Sequence, residues 1–224
     1  MAATAFTQGE EGMRSEGVES VAAVVLAGGR GERLGGRVKA QLQVGGVRLL
    51  DRVLGVLGGC RPIVVAHGPH DPAALALPAG ARPVSDLPGD YAGPLAGFAA
   101  AVDLLGTEAE LLVCAAVDAP FLPEDYVARL LTGLGGRAAA IGTYGRQPYP
   151  TNSVWRLDRV RALPARLRAG TAPRSLKSLA AEMGAVAVEW PAGPAGDPFA
   201  NINTPQDLAL AEARAAGSAT GFPW

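Results

Sequence analysis

The stretch Val21-Ala22-Ala23-Val24-Val25-Leu26-Ala27-Gly28-Gly29-Arg30-Gly31-Glu32-Arg33-Leu34-Gly35-Gly36-Arg37-Val38-Lys39 has two unlike halves. Residues 21–26 are apolar without alternation, which suits a strand buried on both faces of a parallel sheet covered by helices. The remainder is glycine interleaved with Arg30, Arg33, Arg37 and Lys39. A loop directly after a buried strand lies where open α/β sheets hold ligands, at the carboxyl ends of the strands. Glycines let backbone N–H groups approach an anion closely, and the cations neutralise phosphate charge. The loop is therefore a candidate phosphate site. Glycine pairs alone would not make it one: in this composition about four arise by chance, and the chain has five. Position and cationic content carry the reading.

Both common phosphate loops fail. A Walker loop needs Gly-Lys followed by Ser or Thr, whereas Lys39 lies between Val38 and Ala40. The dinucleotide pattern Gly-x-Gly-x-x-Gly, counted from Gly29, meets Leu34 at its third glycine. That failure argues against a nicotinamide-dependent oxidoreductase, which the alternation of strands and helices would otherwise permit.

Outward from this stretch, residues 49–57, 62–66, 82–85, 95–105 and 111–117 read as helix and strand in turn. Beyond Pro123 the pattern predicts a helix to about Leu134, then strands near 138–143 and 151–155. A helix-rich stretch to Met183, a strand at 185–189 and a helix from Pro205 follow. The expectation is a three-layer α/β/α, doubly wound, mostly parallel Rossmann-like sheet in a single domain over 21–216. Residues 1–20 and 217–224 are expected to be disordered tails.

Composition narrows the function. With 20 Lys+Arg against 21 Asp+Glu, the 224-residue chain carries a net charge of −1. Acids and bases mix along it, leaving no basic footprint for nucleic acid and no polybasic membrane patch. No apolar run approaches the roughly 20 residues of a spanning helix. The first residues carry Glu10, Glu11, Glu16 and Glu19 rather than a basic end and an apolar centre, so a cytoplasmic location is expected. Cys60 and Cys114 lie far apart with no Cys or His at ligand spacing, and read as small core residues. Only two of the cations are lysines, Lys39 and Lys177.

Two further strand ends matter. Asp118 follows the apolar run 111–117, a place from which a carboxylate can hold a divalent cation bridging triphosphate oxygens. Asp86 follows 82–85. Gly93-Pro94 puts proline at a first helical position, aiming a helix amino end at the crevice. Thr204-Pro205-Gln206-Asp207 is a capping-box pattern that leaves Asn201 and Asn203 unexplained. His67 and His70 read as exposed loop histidines.

The run LAGGRGERLGGRVK at 26–39 resembles the signature of nucleotidyltransferases with a glycosyltransferase-A-like fold, most closely the molybdenum cofactor guanylyltransferases. The likeness continues in SDLPGDYAGPLAGF (85–98), LLVCAAVDAPFLP (111–123), YPT (149–151) and NINTPQDL (201–208), in order across nearly all of 21–216. It implies a nucleotide-diphospho-sugar transferase-like fold and Mg²⁺-dependent transfer of GMP from GTP to molybdopterin or the molybdenum cofactor, releasing pyrophosphate. It implies catalytic roles for Lys39, Arg33 and Asp118, with Asp118 also the metal ligand. Nucleotide contacts fall on Leu26, Ala27, Gly28, Gly29, Arg30, Lys39, Asp86 and Asp118, and substrate contacts on Gly93, Pro94, Asn201 and Asn203. Transient contacts with molybdoenzyme maturation proteins follow from the same likeness. The reaction suits the chain, because a phosphate monoester is already ionised at neutral pH and needs no general base. One departure stands out: the family has Asp before the lysine, and this chain has Val38. Cytidylyl transfer, guanylyl transfer to another phosphorylated small molecule, and a catalytically impaired nucleotide-binding protein remain alternatives.

Overall fold

A computed structural model describes residues 19–29, 31–87 and 93–219. Arg30 and most of the two expected tails lie outside the described residues. In chain order the elements are β1 (Val21–Leu26), β2 (Gln43–Val44), β3 (Val47–Arg48), α1 (Leu49–Val56), β4 (Ile63–Ala66), β5 (Ala81–Val84), α2 (Pro94–Leu105) and β6 (Leu111–Ala116). Then come α3 (Tyr126–Leu134), β7 (Ala139–Tyr144), β8 (Gln147–Arg156), α4 (Leu157–Val160), α5 (Leu163–Arg168), α6 (Leu176–Glu182), β9 (Val186–Trp190) and α7 (Pro205–Ala219).

Seven strands form one sheet in the order β5-β4-β1-β6-β8-β7-β9. Only β8 runs against the others. The expected mostly parallel three-layer architecture is the one observed. β1 is central, and its uninterrupted apolar sequence follows from having two buried faces. Ala23 and Val25 pack on one side with Leu50 and Val53 of α1 and with Tyr126, Leu130 and Leu134 of α3. Ala22 and Val24 pack on the other with Phe98 and Val102 of α2, Leu163 of α5 and Leu179 of α6. Each fully buried valine contributes about 1.5–3 kcal/mol by leaving water. Cys60 and Cys114 are buried thiols, as their spacing suggested, and burial pushes the Cys60 thiol up to about 11.

A smaller third cluster positions the site. Leu34, Leu42, Val44, Leu49, Ile202 and Ala211 pack together, with Phe121 and Leu208 against them. It fastens the glycine loop, the β2–β3 hairpin, the chain after β6 and α7 into one block at the carboxyl edge of the sheet.

Two features depart from the sequence reading. The hairpin β2–β3 was not anticipated, although Gly45 and Gly46 at φ 58° and 75° form the two-residue connection such hairpins favour. β8 begins at Gln147, four residues before the expected start, because a bulge divides it. Between Ile141 and Gly142 of β7, the partner changes from Ser153 to Tyr149, leaving Pro150, Thr151 and Asn152 arched out of the ladder. Pro150 has no N–H to donate. Gly142 leaves room for Phe199, whose Cζ would lie 2.8 Å from a Cβ there.

Candidate functional site

The glycine loop leaves β1 under tight backbone constraint. Ala27 N–H donates to Ala66 O at 2.8 Å, continuing the β1–β4 pairing. The next residue, Gly28, crosses Gly68 so closely that a Cβ on Gly28 would stand 2.8 Å from Gly68 Cα. Gly31, at φ 60°, turns the loop, and its carbonyl accepts from Leu34 and Gly36 N–H. A Cβ there would meet Arg37 O at 2.1 Å, so only glycine fits.

The loop delivers Lys39, whose side chain passes Gly29 and is only 11% exposed. Lys39 Nζ donates to Asp118 Oδ2 at 2.7 Å and to Asn203 Oδ1 at 2.6 Å. Three of the segments singled out in the sequence thus meet at one ammonium. The meeting point is braced on two sides. Ile202 N–H donates to Asp118 O at 2.9 Å, tying the two loops together. Asn203 and Thr204 N–H donate to Asp207 Oδ2 at 2.9 and 2.8 Å, while Asp207 N–H donates back to Thr204 Oγ1. The capping box therefore does more than start α7: it fixes the backbone that presents Asn203. Backbone donation from Asn203 is the chief reason the Asp207 carboxyl sits below its ordinary value. At the end of β6, Asn152 Oδ1 accepts from Ala116 N–H at 3.3 Å, two residues before Asp118.

Gly29, Gly31, Glu32, Arg33, Lys39 and Asn203 line a cavity of about 240 Å³ over this group. A larger cavity of about 550 Å³, between Arg52, Phe121 and Arg214, includes none of the expected site residues. Its arginines serve the fold: Arg52 donates to Val44 O, and Arg214 lies 3.9 Å over the Phe121 ring and donates to Asp197 O. Of these two cavities, the smaller is the one lined by residues the sequence singled out.

Val38 packs against the main core, and its carbonyl accepts from Gln41 N–H in the turn that starts at Lys39. Lys39 is aimed by Asp118 and Asn203, so its placement does not depend on a carboxylate at position 38.

Asp86 lies elsewhere on the same edge, after β5. Gly97 of α2 lets it approach: a Cβ there would lie 3.0 Å from Asp86 Oδ1, 2.9 Å from Ala66 Cβ and 3.5 Å from Leu26 Cδ2. Half-burial raises the Asp86 carboxyl, and the nearby His67 works against the rise. Gly93, at φ 84°, and Pro94 are exposed at the start of α2, with proline at the first turn as read. Asn201 is exposed at the start of the loop that carries Asn203.

His67 corrects the sequence reading. It is 7% exposed, because β4 continues beyond its last strand residue when His67 N–H donates to Val84 O at 3.0 Å. Its Nε2 meets Ser85 Oγ at 3.2 Å. His70 is half-buried and reaches the glycine loop, its Nε2–H donating to Gly29 O at 3.0 Å. No periodicity marks either histidine, since their neighbours are glycine and proline.

The oxygens around Lys39 suit a hard cation. An aspartate carboxylate and an asparagine amide carbonyl are magnesium-type donors, and both already grip one positive charge. Among the described residues no three His, Cys, Asp or Glu side chains gather as a metal cage. Magnesium at such a place takes its remaining ligands from phosphates and water. No described helix is long and apolar enough to cross a membrane.

Fold and site together define a nucleotidyltransferase of the α/β class. The family model for the MobA-like NTP transferase domain matches residues 23–186, and the chain belongs to that family. It is 40% identical over 197 residues to a molybdenum cofactor guanylyltransferase of Rhodobacter capsulatus, covering 87% of this chain and 96% of the relative. The crystal structure of molybdopterin-guanine dinucleotide biosynthesis protein A from Archaeoglobus fulgidus superposes with a TM-score of 0.65 at 25% identity, covering 88% of this chain and 99% of that one. A 2-C-methyl-D-erythritol 4-phosphate cytidylyltransferase from Thermus thermophilus shares the fold at 23% identity, TM-score 0.64, covering 87% and 98%.

Proposed function

We propose that the chain transfers GMP from GTP to molybdopterin or its molybdenum-loaded form, releasing pyrophosphate, with Mg²⁺ as the metal and the cytoplasm as its compartment. The observation that carries the reading is Lys39 Nζ held between Asp118 Oδ2 and Asn203 Oδ1 at the floor of the cavity beside the glycine loop. The guanylyl donor and the acceptor rest on the 40% identity to the molybdenum cofactor guanylyltransferase of Rhodobacter capsulatus.

In this reading, loop N–H groups from Gly28 and Gly29 contact the triphosphate, and Arg33 adds a guanidinium suited to paired phosphate oxygens. Leu26, Ala27 and Asp86 contact the nucleoside, and Arg30 and Lys39 its phosphates. Asp118, with Asn203 beside it, would hold Mg²⁺. Held there, Mg²⁺ would supply positive charge to offset that of the phosphates. Lys39 supplies a fixed positive charge at the same place, a contribution that needs no proton transfer. The acceptor, a phosphate monoester, arrives ionised, so no side chain has to act as base. Gly93, Pro94, Asn201 and Asn203 would contact the acceptor.

The test is pyrophosphate release with purified molybdopterin and each nucleoside triphosphate in turn. GTP is expected to support release, and Asp118→Ala to abolish it. Release with CTP alone would replace the guanylyl assignment with a cytidylyl one.

A further inference from the structure

Lys39 does something that a phosphate-binding lysine need not do: its ammonium occupies the converging point of the two oxygens best suited to a metal. Both contacts, 2.7 Å to Asp118 and 2.6 Å to Asn203, are at the short end for charge-assisted hydrogen bonds. The backbones that carry the two oxygens are held by contacts of their own. Asp118 is tied through its carbonyl to Ile202 N–H, and Asn203 through its N–H to Asp207. Those backbone ties do not involve the ammonium, so the two side chains stay rooted side by side without it. We propose that Lys39 is a built-in counter-cation that competes with the divalent metal for Asp118 and Asn203. The inference rests on the metal role given to Asp118 above.

The physical grounds are charge and space. Asp118 is largely buried, with 16% of its side chain exposed, and a carboxylate so placed needs a cation close by. Lys39 supplies one, so the charge is already compensated and a free divalent ion gains little by entering. Two cations sharing the same carboxylate oxygen repel, and the cavity walls offer the displaced ammonium no described carboxylate other than Glu32, which is exposed. A triphosphate changes this. Its oxygens, lying along Gly29, Gly31 and Arg33, give the ammonium a new anionic partner on the open side of the cavity. The lysine side chain has room to move that way, because Gly29 presents no side chain and a Cβ there would only touch Lys39 Cδ at 3.6 Å. Metal and nucleotide therefore enter together, and the metal alone is held off. By linkage, each raises the affinity for the other by the same factor.

The experiment is calorimetric titration with Mn²⁺, with and without GTP, on wild type, Lys39→Met and Lys39→Gln. Circular dichroism checks folding, and Lys39→Gln keeps a polar end without the charge should the methionine variant misfold. Without nucleotide, wild type is expected to bind Mn²⁺ at least tenfold more weakly than either variant. Adding Asp118→Asn to Lys39→Met should remove the gain. GTP should strengthen Mn²⁺ binding in wild type by at least tenfold and much less in the variants. Equal Mn²⁺ affinity in wild type and both Lys39 variants would overturn the exchange, and leave the nucleotidyl-transfer reading intact if GTP still strengthens the metal. A gain on removing Lys39, with GTP indifferent in every protein, would uphold the competition and overturn the nucleotide reading instead.

Discussion

Replacing Gly28 by alanine tests the backbone crossing on which the phosphate loop depends. A methyl at Gly28 would lie 2.8 Å from Gly68 Cα and 3.1 Å from Gly68 N, where ordinary contact begins at 3.4 Å. Loop and neighbour must separate by about 0.6 Å, the shortfall of overpacked atoms that have no side-chain freedom to yield. Neither side moves freely, since Ala27 N–H is bound to Ala66 O and His67 N–H to Val84 O. Overpacking of this kind costs about 1–3 kcal/mol. In a chain of this length each kcal/mol lowers Tm by about 2–4 °C, so Gly28→Ala should melt about 2–12 °C below wild type. Gly29→Ala is the control: its methyl meets only Lys39 Cδ at 3.6 Å, and its stability should stay within about 0.5 kcal/mol of wild type. Thermal unfolding followed by circular dichroism reads both, and GTP titration reads the loop. A loop displaced by half an ångström should also bind and turn over GTP about tenfold or more worse. If Gly28→Ala melts with wild type, or Gly29→Ala is equally damaging, the crossing does not constrain the loop as argued.

Asp207→Ala removes the acceptor for Asn203 and Thr204 N–H and should cost about 0.5–2 kcal/mol at neutral pH. Because the folded carboxyl lies below its ordinary 3.8, that contribution is fully present above pH 3.8 and is lost as pH falls through the folded value. The difference in urea midpoint between wild type and Asp207→Ala should therefore close in acid and nowhere else. Asp86 works in the opposite sense: its folded carboxyl is raised by burial, so ionisation at neutral pH opposes folding. Asp86→Asn should raise Tm at pH 7, lose that gain toward pH 3.8, and weaken nucleotide binding; a Tm unchanged at pH 7 would contradict the burial argument. Phe199 is fully buried among Tyr126, Tyr149 and Trp190, and Phe199→Ala should cost about 3–5 kcal/mol in denaturant unfolding.

The sheet was legible because β1 and β6 have two buried faces and so carry apolar residues without interruption. Asp118 was legible for a related reason, since a polar side chain just past a buried strand stands out, and Lys39 was legible as a cation of the glycine loop that leaves β1. Asn203 was harder, since an adjacent capping box explains most of its surroundings; the structure shows that the cap and the presentation of Asn203 are one device. What could not be read depends on partners distant in sequence. The direction of β8 leaves no mark on its own residues, because apolar positions look alike in parallel and antiparallel pairing. The bulge at Pro150 to Asn152 goes with a Phe199 ring nearly fifty residues away that fills the space beside Gly142. His67 is held by Val84 at the end of β5 and by Ser85 just after it, partners distant in sequence. The β2–β3 hairpin, by contrast, had a signal in Gly45-Gly46 between valines, and a two-residue turn would have found it.

The nucleotidyl-transfer site is proposed to be the meeting point of Lys39, Asp118 and Asn203. Its most direct test is release of pyrophosphate from GTP in the presence of Mg²⁺ and molybdopterin, compared between wild type and Asp118→Ala. Release is expected to require the acceptor and to fall at least 100-fold in Asp118→Ala, the scale on which loss of an electrostatic contact at the reacting phosphates acts. Acceptor-dependent release that survives the substitution undiminished would place the chemistry elsewhere and contradict it.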